Sequence, residues 1–101
     1  MRLTPDQARA IVVATRELAG PDASVRLFGS RLHDELKGGD IDLLVECPRP
    51  VERPVWLAAQ ITARLQRALG DRKIDVLLID PTIPLEPVHL VAQLEGRVLQ
   101  P

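Results

Sequence analysis

Two short apolar runs bracket a helical one, and this arrangement does most to limit what the chain can fold into. Residues Ile41 to Val45 and Lys73 to Ile79 read as strands, and between Pro54 and Leu69 the apolar residues Leu57, Ile61 and Leu65 recur four apart. A helix of about four turns between two strands is the usual crossover between parallel neighbours. Gly70 is placed to end that helix.

The flanking segments extend the pattern. Thr4-Pro5-Asp6-Gln7 is a helix start, with Thr4 as cap, Pro5 in the first turn and Gln7 completing a capping box. Ile11, Ala14 and Leu18 follow at helical spacing, and Gly20-Pro21 ends the helix. Ser24 to Phe28 alternates like a strand, Arg31 to Lys37 suggests a short helix broken by Gly38-Gly39, and Pro87 to Leu94 suggests a last helix before a closing strand at Arg97 to Leu99. The expected fold is α/β (α+β), a small mixed β-sheet flanked by helices. The length of 101 residues fits a single domain over 1–101.

Within that frame one stretch stands out. In FGSRLHDELKGGDIDLLVE, Asp40 and Asp42 are spaced to share one face of a strand whose other residues are aliphatic. Two bare carboxylates that close repel, and one takes up a proton unless something neutralises them. A hard divalent cation such as Mg²⁺ does so, and it completes its shell with phosphate oxygens and water. Gly29-Ser30, between a strand and a possible helix start, suits a phosphate: glycine allows close backbone approach, and serine adds a hydroxyl donor. Ten residues link Ser30 to Gly39, enough for the two strands to run antiparallel and bring Gly29-Ser30 beside Asp40. The parallel crossover then places Asp75 at the same end as Asp40 and Asp42. The set fits two-metal phosphoryl or nucleotidyl transfer, with Asp75 as general base or as a ligand of the second metal. Taken singly, each signal is weaker: Asp40 after Gly-Gly also suits a turn, and Asp80 before Pro81 reads as turn chemistry.

The same stretch resembles the signature of the DNA polymerase β-type nucleotidyltransferase superfamily: a hydrophobic residue, Gly29-Ser30, a spacer, then Asp40-Ile41-Asp42. The short chain and the Gly29-Ser30-Arg31 start are similar to the minimal nucleotidyltransferases. The resemblance covers Ser24 to Ile79, with a softer match at the terminal VAQLEGRVLQP, and departs from the usual pattern where Gly39 stands in place of a frequent serine. It implies that Gly29 and Ser30 contact nucleotide phosphates, that Asp40 and Asp42 bind Mg²⁺, and that Asp75 is the third carboxylate. It also implies an antitoxin paired with a HEPN-type toxin, with AMP passed from ATP to a tyrosine of that toxin. Two alternatives stand beside this: an antitoxin that neutralises by binding alone, and a nucleotide-binding module without transfer.

Other residues carry less. Arg31 is placed to reach a phosphate or to pair with Asp34 or Glu35. His33 and His89 are isolated and read as surface histidines, and Trp56 as a core or edge contact. The basic residues are scattered and the net charge is −1, so no basic stripe points to nucleic acid. A single cysteine, Cys47, excludes an internal disulfide and suggests a reducing, cytoplasmic setting. No run has membrane-spanning length, and a sheet this small leaves an edge open to a homo- or hetero-oligomeric partner.

Overall fold

The computed structural model describes residues 3–29, 40–70 and 72–100. Its elements are helix α1 (Pro5–Ala19), strands β1 (Ser24–Phe28) and β2 (Ile41–Glu46), helix α2 (Pro54–Leu69), strand β3 (Ile74–Ile79), helix α3 (Pro87–Glu95) and the short strand β4 (Arg97–Val98). The order in the sheet is β3-β2-β1-β4. As the crossover demands, β2 and β3 are parallel, whereas β1 runs antiparallel to both β2 and β4. The short helix expected at Arg31 to Lys37 lies outside the described residues, as does His33. Among the described residues no helix is long and apolar enough to cross a membrane.

Local chemistry explains where the helices begin and end. The Thr4 hydroxyl accepts from the Gln7 N–H at 3.1 Å, and the Gln7 side chain accepts from the Thr4 N–H at 3.0 Å. These two bonds satisfy donors that the first turn leaves orphaned. Gly20 and Gly70 close α1 and α2 at φ +105° and +91°, a region only glycine enters without strain.

The helices sort onto the two faces of the sheet. α1 and α2 cover one, where Ile11, Ile61 and Leu65 pack on Val25, Leu27, Leu43, Val45 and Leu78. Each large side chain removed from water there contributes about 1.5–3 kcal/mol. α3 covers part of the other face, where Ala92 meets Leu44 and Ile79, with Phe28 and Leu77 packed against them. β2 is therefore central and apolar on both sides, which makes a charged residue within it conspicuous.

α3 is fastened by a polar tether as well. Arg26 Nε donates to Glu46 at 2.6 Å, and Gln93 Nε2 donates to the other Glu46 oxygen at 3.2 Å. His89, expected at the surface, is buried at 9 % exposure, and its Nδ1 accepts from the Glu86 N–H at 3.0 Å. The imidazole occupies the third helical position, where a capping box normally carries Glu or Gln, and closes the first turn of α3. Trp56, expected in the core or at an edge, is 55 % exposed, with the Arg53 guanidinium 5.4 Å from its ring centre.

Candidate active site

The strand registers bring the motif residues together. Phe28 stands opposite Asp42 across the β1–β2 pair, and Asp42 stands beside Asp75 across the β2–β3 pair. Neighbouring strands lie about 4.8 Å apart, so the two carboxyl groups are adjacent on the α3 side of the sheet. Asp40 immediately precedes β2 and is exposed. Lys73, just before β3, holds its ammonium 3.9 Å from an Asp75 oxygen.

Gly29 closes the site from β1. Its φ is +77°, and a Cβ at this position would lie 2.4 Å from Asp42 Oδ2. The backbone turns past the carboxyl group with no room for a side chain, and only glycine meets both the dihedral and the contact. Ser30 and Arg31, the remaining candidate phosphate contacts, lie outside the described residues.

The electrostatics follow from this crowding. Burial pushes the Asp42 carboxyl above its ordinary value. The charges of Asp75 and Asp40 and a hydrogen bond shared with Asp75 push it further, against a weaker pull from Lys73. Desolvation and like charge both oppose ionisation here. Cys47, by contrast, is buried, and its thiol is raised first by burial and then by Asp80, an inert setting for a thiol.

Among the described residues, no group of three His, Cys, Asp or Glu side chains is arranged to hold a metal ion by itself. The sheet thus delivers a tight pair, Asp42 and Asp75, with Asp40 close enough to act on Asp42 through its charge. Mg²⁺ commonly takes only one or two carboxylates and fills the rest of its octahedron with phosphate and water. An oxygen-only pair whose own repulsion opposes its ionisation fits such an ion.

A family model described as a nucleotidyltransferase domain matches residues 9–98, which reach from within α1 to β4. The chain belongs to the nucleotidyltransferase domain family. This is the superfamily to which the Gly29-Ser30 and Asp40-Ile41-Asp42 motif pointed, and domains of this family use a nucleoside triphosphate and a divalent metal. Among curated proteins no match to the chain is found. In this nucleotidyltransferase domain the matched span contains every candidate residue, including the Asp42–Asp75 pair and Gly29.

Proposed function

We propose that this nucleotidyltransferase moves AMP from ATP to a protein acceptor, a cognate HEPN-type toxin, and so acts as its antitoxin. The observation that carries the transfer chemistry is the in-register pair Asp42 and Asp75, packed against the bare backbone of Gly29. Asp40 and Asp42 would hold Mg²⁺, and Asp75 would either join them as a ligand or accept the proton. When bound, the metal offsets the carboxylate charges and polarises the phosphates. An acceptor hydroxyl oxygen forms a bond to the α-phosphorus of ATP. The bond from that phosphorus to the bridging oxygen breaks, pyrophosphate leaves with the electron pair, and Asp75 takes the hydroxyl proton when it serves as base. Its side chain is 52 % open to solvent, so an acceptor can reach it. Gly29, without a side chain, would let the end of β1 come close to the triphosphate.

Support for a protein acceptor comes from α3. It lies over the same face of the sheet as the carboxyl pair and turns Val88, Leu90, Val91 and Leu94 outward, with Leu94 at 86 % exposure. A helix that is apolar on its outer face as well as its inner one is suited to be covered by another protein. The antitoxin reading itself rests on the resemblance of the Gly29-Ser30-Arg31 motif to the minimal nucleotidyltransferases.

The test is incubation with labelled ATP, Mg²⁺ and the product of the neighbouring gene, read by intact mass. An AMP adduct on the partner, absent with Asp40→Ala/Asp42→Ala, is the expected result. A tight complex that forms without any adduct would replace transfer with neutralisation by binding.

A further inference from the structure

One charged neighbour of the carboxyl pair, Lys73, has no part in the transfer step. Its backbone is fixed by β2: Lys73 O accepts from the Ile41 N–H at 2.9 Å, so the β2–β3 ladder continues one step past the strand ends. In that ladder Ile41 stands beside Ile74 and Asp42 beside Asp75, which sets Asp40 beside Lys73 one step earlier. Side chains alternate along a strand, so residues 73 and 75 share the face that residues 40 and 42 share. Four charged residues thus mark the corners of a rectangle, about 4.8 Å across the strands and about 6.6 Å along them. Three corners are carboxyl groups. The fourth is the Lys73 ammonium, 3.9 Å from Asp75, and its charge reaches Asp42 as well.

A cation in this place has two opposite effects on what the site binds. It opposes a bare divalent ion, which carries the same sign and seeks the same carboxylate oxygens. It attracts a triphosphate, whose oxygens accept charge-assisted hydrogen bonds. The Lys73 side chain is 68 % exposed and stands on a flexible four-carbon stem, so it can leave Asp75 without unpacking the core. Among the described residues no three His, Cys, Asp or Glu side chains hold an ion by themselves, so phosphate oxygens must complete its shell.

We infer that Lys73 couples the metal to the nucleotide. It keeps bare Mg²⁺ weakly held. When the ion arrives with a nucleoside triphosphate, the ammonium passes from Asp75 to a phosphate oxygen. Ion and triphosphate then strengthen each other's binding by the same factor, as linkage requires. Asp75 is released as the site fills, when it is needed as a ligand or as the base. The inference rests on the proposed assignment of the carboxylates and on the family's use of a triphosphate and a divalent metal, not on the acceptor. A partner that gains no AMP therefore leaves it standing.

Binding to the full chain tests this without turnover. Electron paramagnetic resonance of Mn²⁺ reports bare-metal affinity. Calorimetry with α,β-methylene-ATP, whose α–β bridge does not break, reports nucleotide affinity. The wild type should bind the analogue roughly tenfold or more tightly in excess Mg²⁺ than in EDTA. Lys73→Gln removes the charge from an exposed side chain and leaves the backbone bond to Ile41 in place. It should bind Mn²⁺ alone roughly threefold more tightly, and the analogue in Mg²⁺ roughly threefold more weakly. Lys73→Arg should stay near wild type in both. The two shifts should shrink as KCl rises from about 20 to about 500 mM, because exposed charges are screened. A lysine that serves only as a surface ion pair moves neither affinity. If either affinity stays where it is in Lys73→Gln, or both move in the same direction, the inference is overturned. A wild type that binds the analogue no better with Mg²⁺ than in EDTA overturns it as well.

Discussion

The two ends of the parallel β2–β3 ladder treat a carboxyl group in opposite ways. At the far end Asp80 is 7 % exposed, yet every demand of its charge is met. It accepts from the Thr82 hydroxyl at 2.6 Å, the Thr82 N–H at 2.7 Å and the Val51 N–H at 2.6 Å. These bonds, led by the Thr82 hydroxyl, hold it below the ordinary carboxylate value. At the near end Asp42 is half-buried, faces Asp75 and Asp40, and is pushed upward. The same residue type is completed by the fold at one end and left incomplete at the other. The first arrangement ties two loops together; the second suits a ligand that brings positive charge.

The largest expected effect of perturbing this contrast is on transfer. Asp40→Ala/Asp42→Ala should lower the rate of nucleotidyl transfer by on the order of 10³-fold or more, read as labelled nucleotide incorporated, because it removes the charge that places metal and triphosphate. A variant with near wild-type turnover would remove Asp42 from the chemistry. Next comes Gly29→Ala, which must accommodate both the +77° dihedral and a Cβ 2.4 Å from Asp42 Oδ2. It should cost about 1–3 kcal/mol in urea unfolding and most of the activity. Asp80→Ala should instead lower the melting temperature, since it strands the Val51 and Thr82 donors, while a folded sample keeps its activity.

The smallest effect is a difference in pH dependence. A carboxyl raised in the folded state binds more protons there than in the unfolded chain. The stability associated with Asp42 therefore falls as pH rises from the ordinary carboxylate range through its folded value. Asp42→Asn should then melt above wild type at neutral pH, with the gap closing in acid. Asp80 has the opposite slope: its contribution is present at neutral pH and is lost as pH falls through its depressed value. Asp80→Asn should accordingly melt below wild type at neutral pH and approach it in acid. Parallel melting curves for the two variants across pH would erase the contrast.

Much of the near end was legible in the sequence, because local rules governed it. The capping box at Thr4 to Gln7, glycines at the helix ends and a crossover helix between apolar strands together dictate the sheet in which Asp42 meets Asp75. The contact of Gly29 with Asp42 was foreseen only as a close approach to phosphate; its steric side needs the antiparallel register of Phe28 and Asp42. The far end was half legible. Asp80 before Pro81 reads as turn chemistry, and the Thr82 bonds are local, but the bond to Val51 spans 29 positions and leaves no mark in sequence spacing. His89 was misread because an isolated histidine resembles solvent-facing polarity. Its place three residues after Glu86, in a helix starting at Pro87, was the available signal for capping. The roles of Ser30 and Arg31 rest on sequence alone, since both lie outside the described residues.

The two apolar clusters also differ in size. Among the described residues the cluster beneath α1 and α2 contains fifteen buried side chains, while the one beneath α3 contains three, Leu44, Ile79 and Ala92. Free energies of local opening follow such differences, so α3 is the element that lifts first while the larger cluster stays closed. Its amides should exchange with solvent deuterium well before those of α1. Each opening bares Leu44 and Phe28, so the face beside Asp42 is periodically uncovered on a clock of its own, separate from global unfolding.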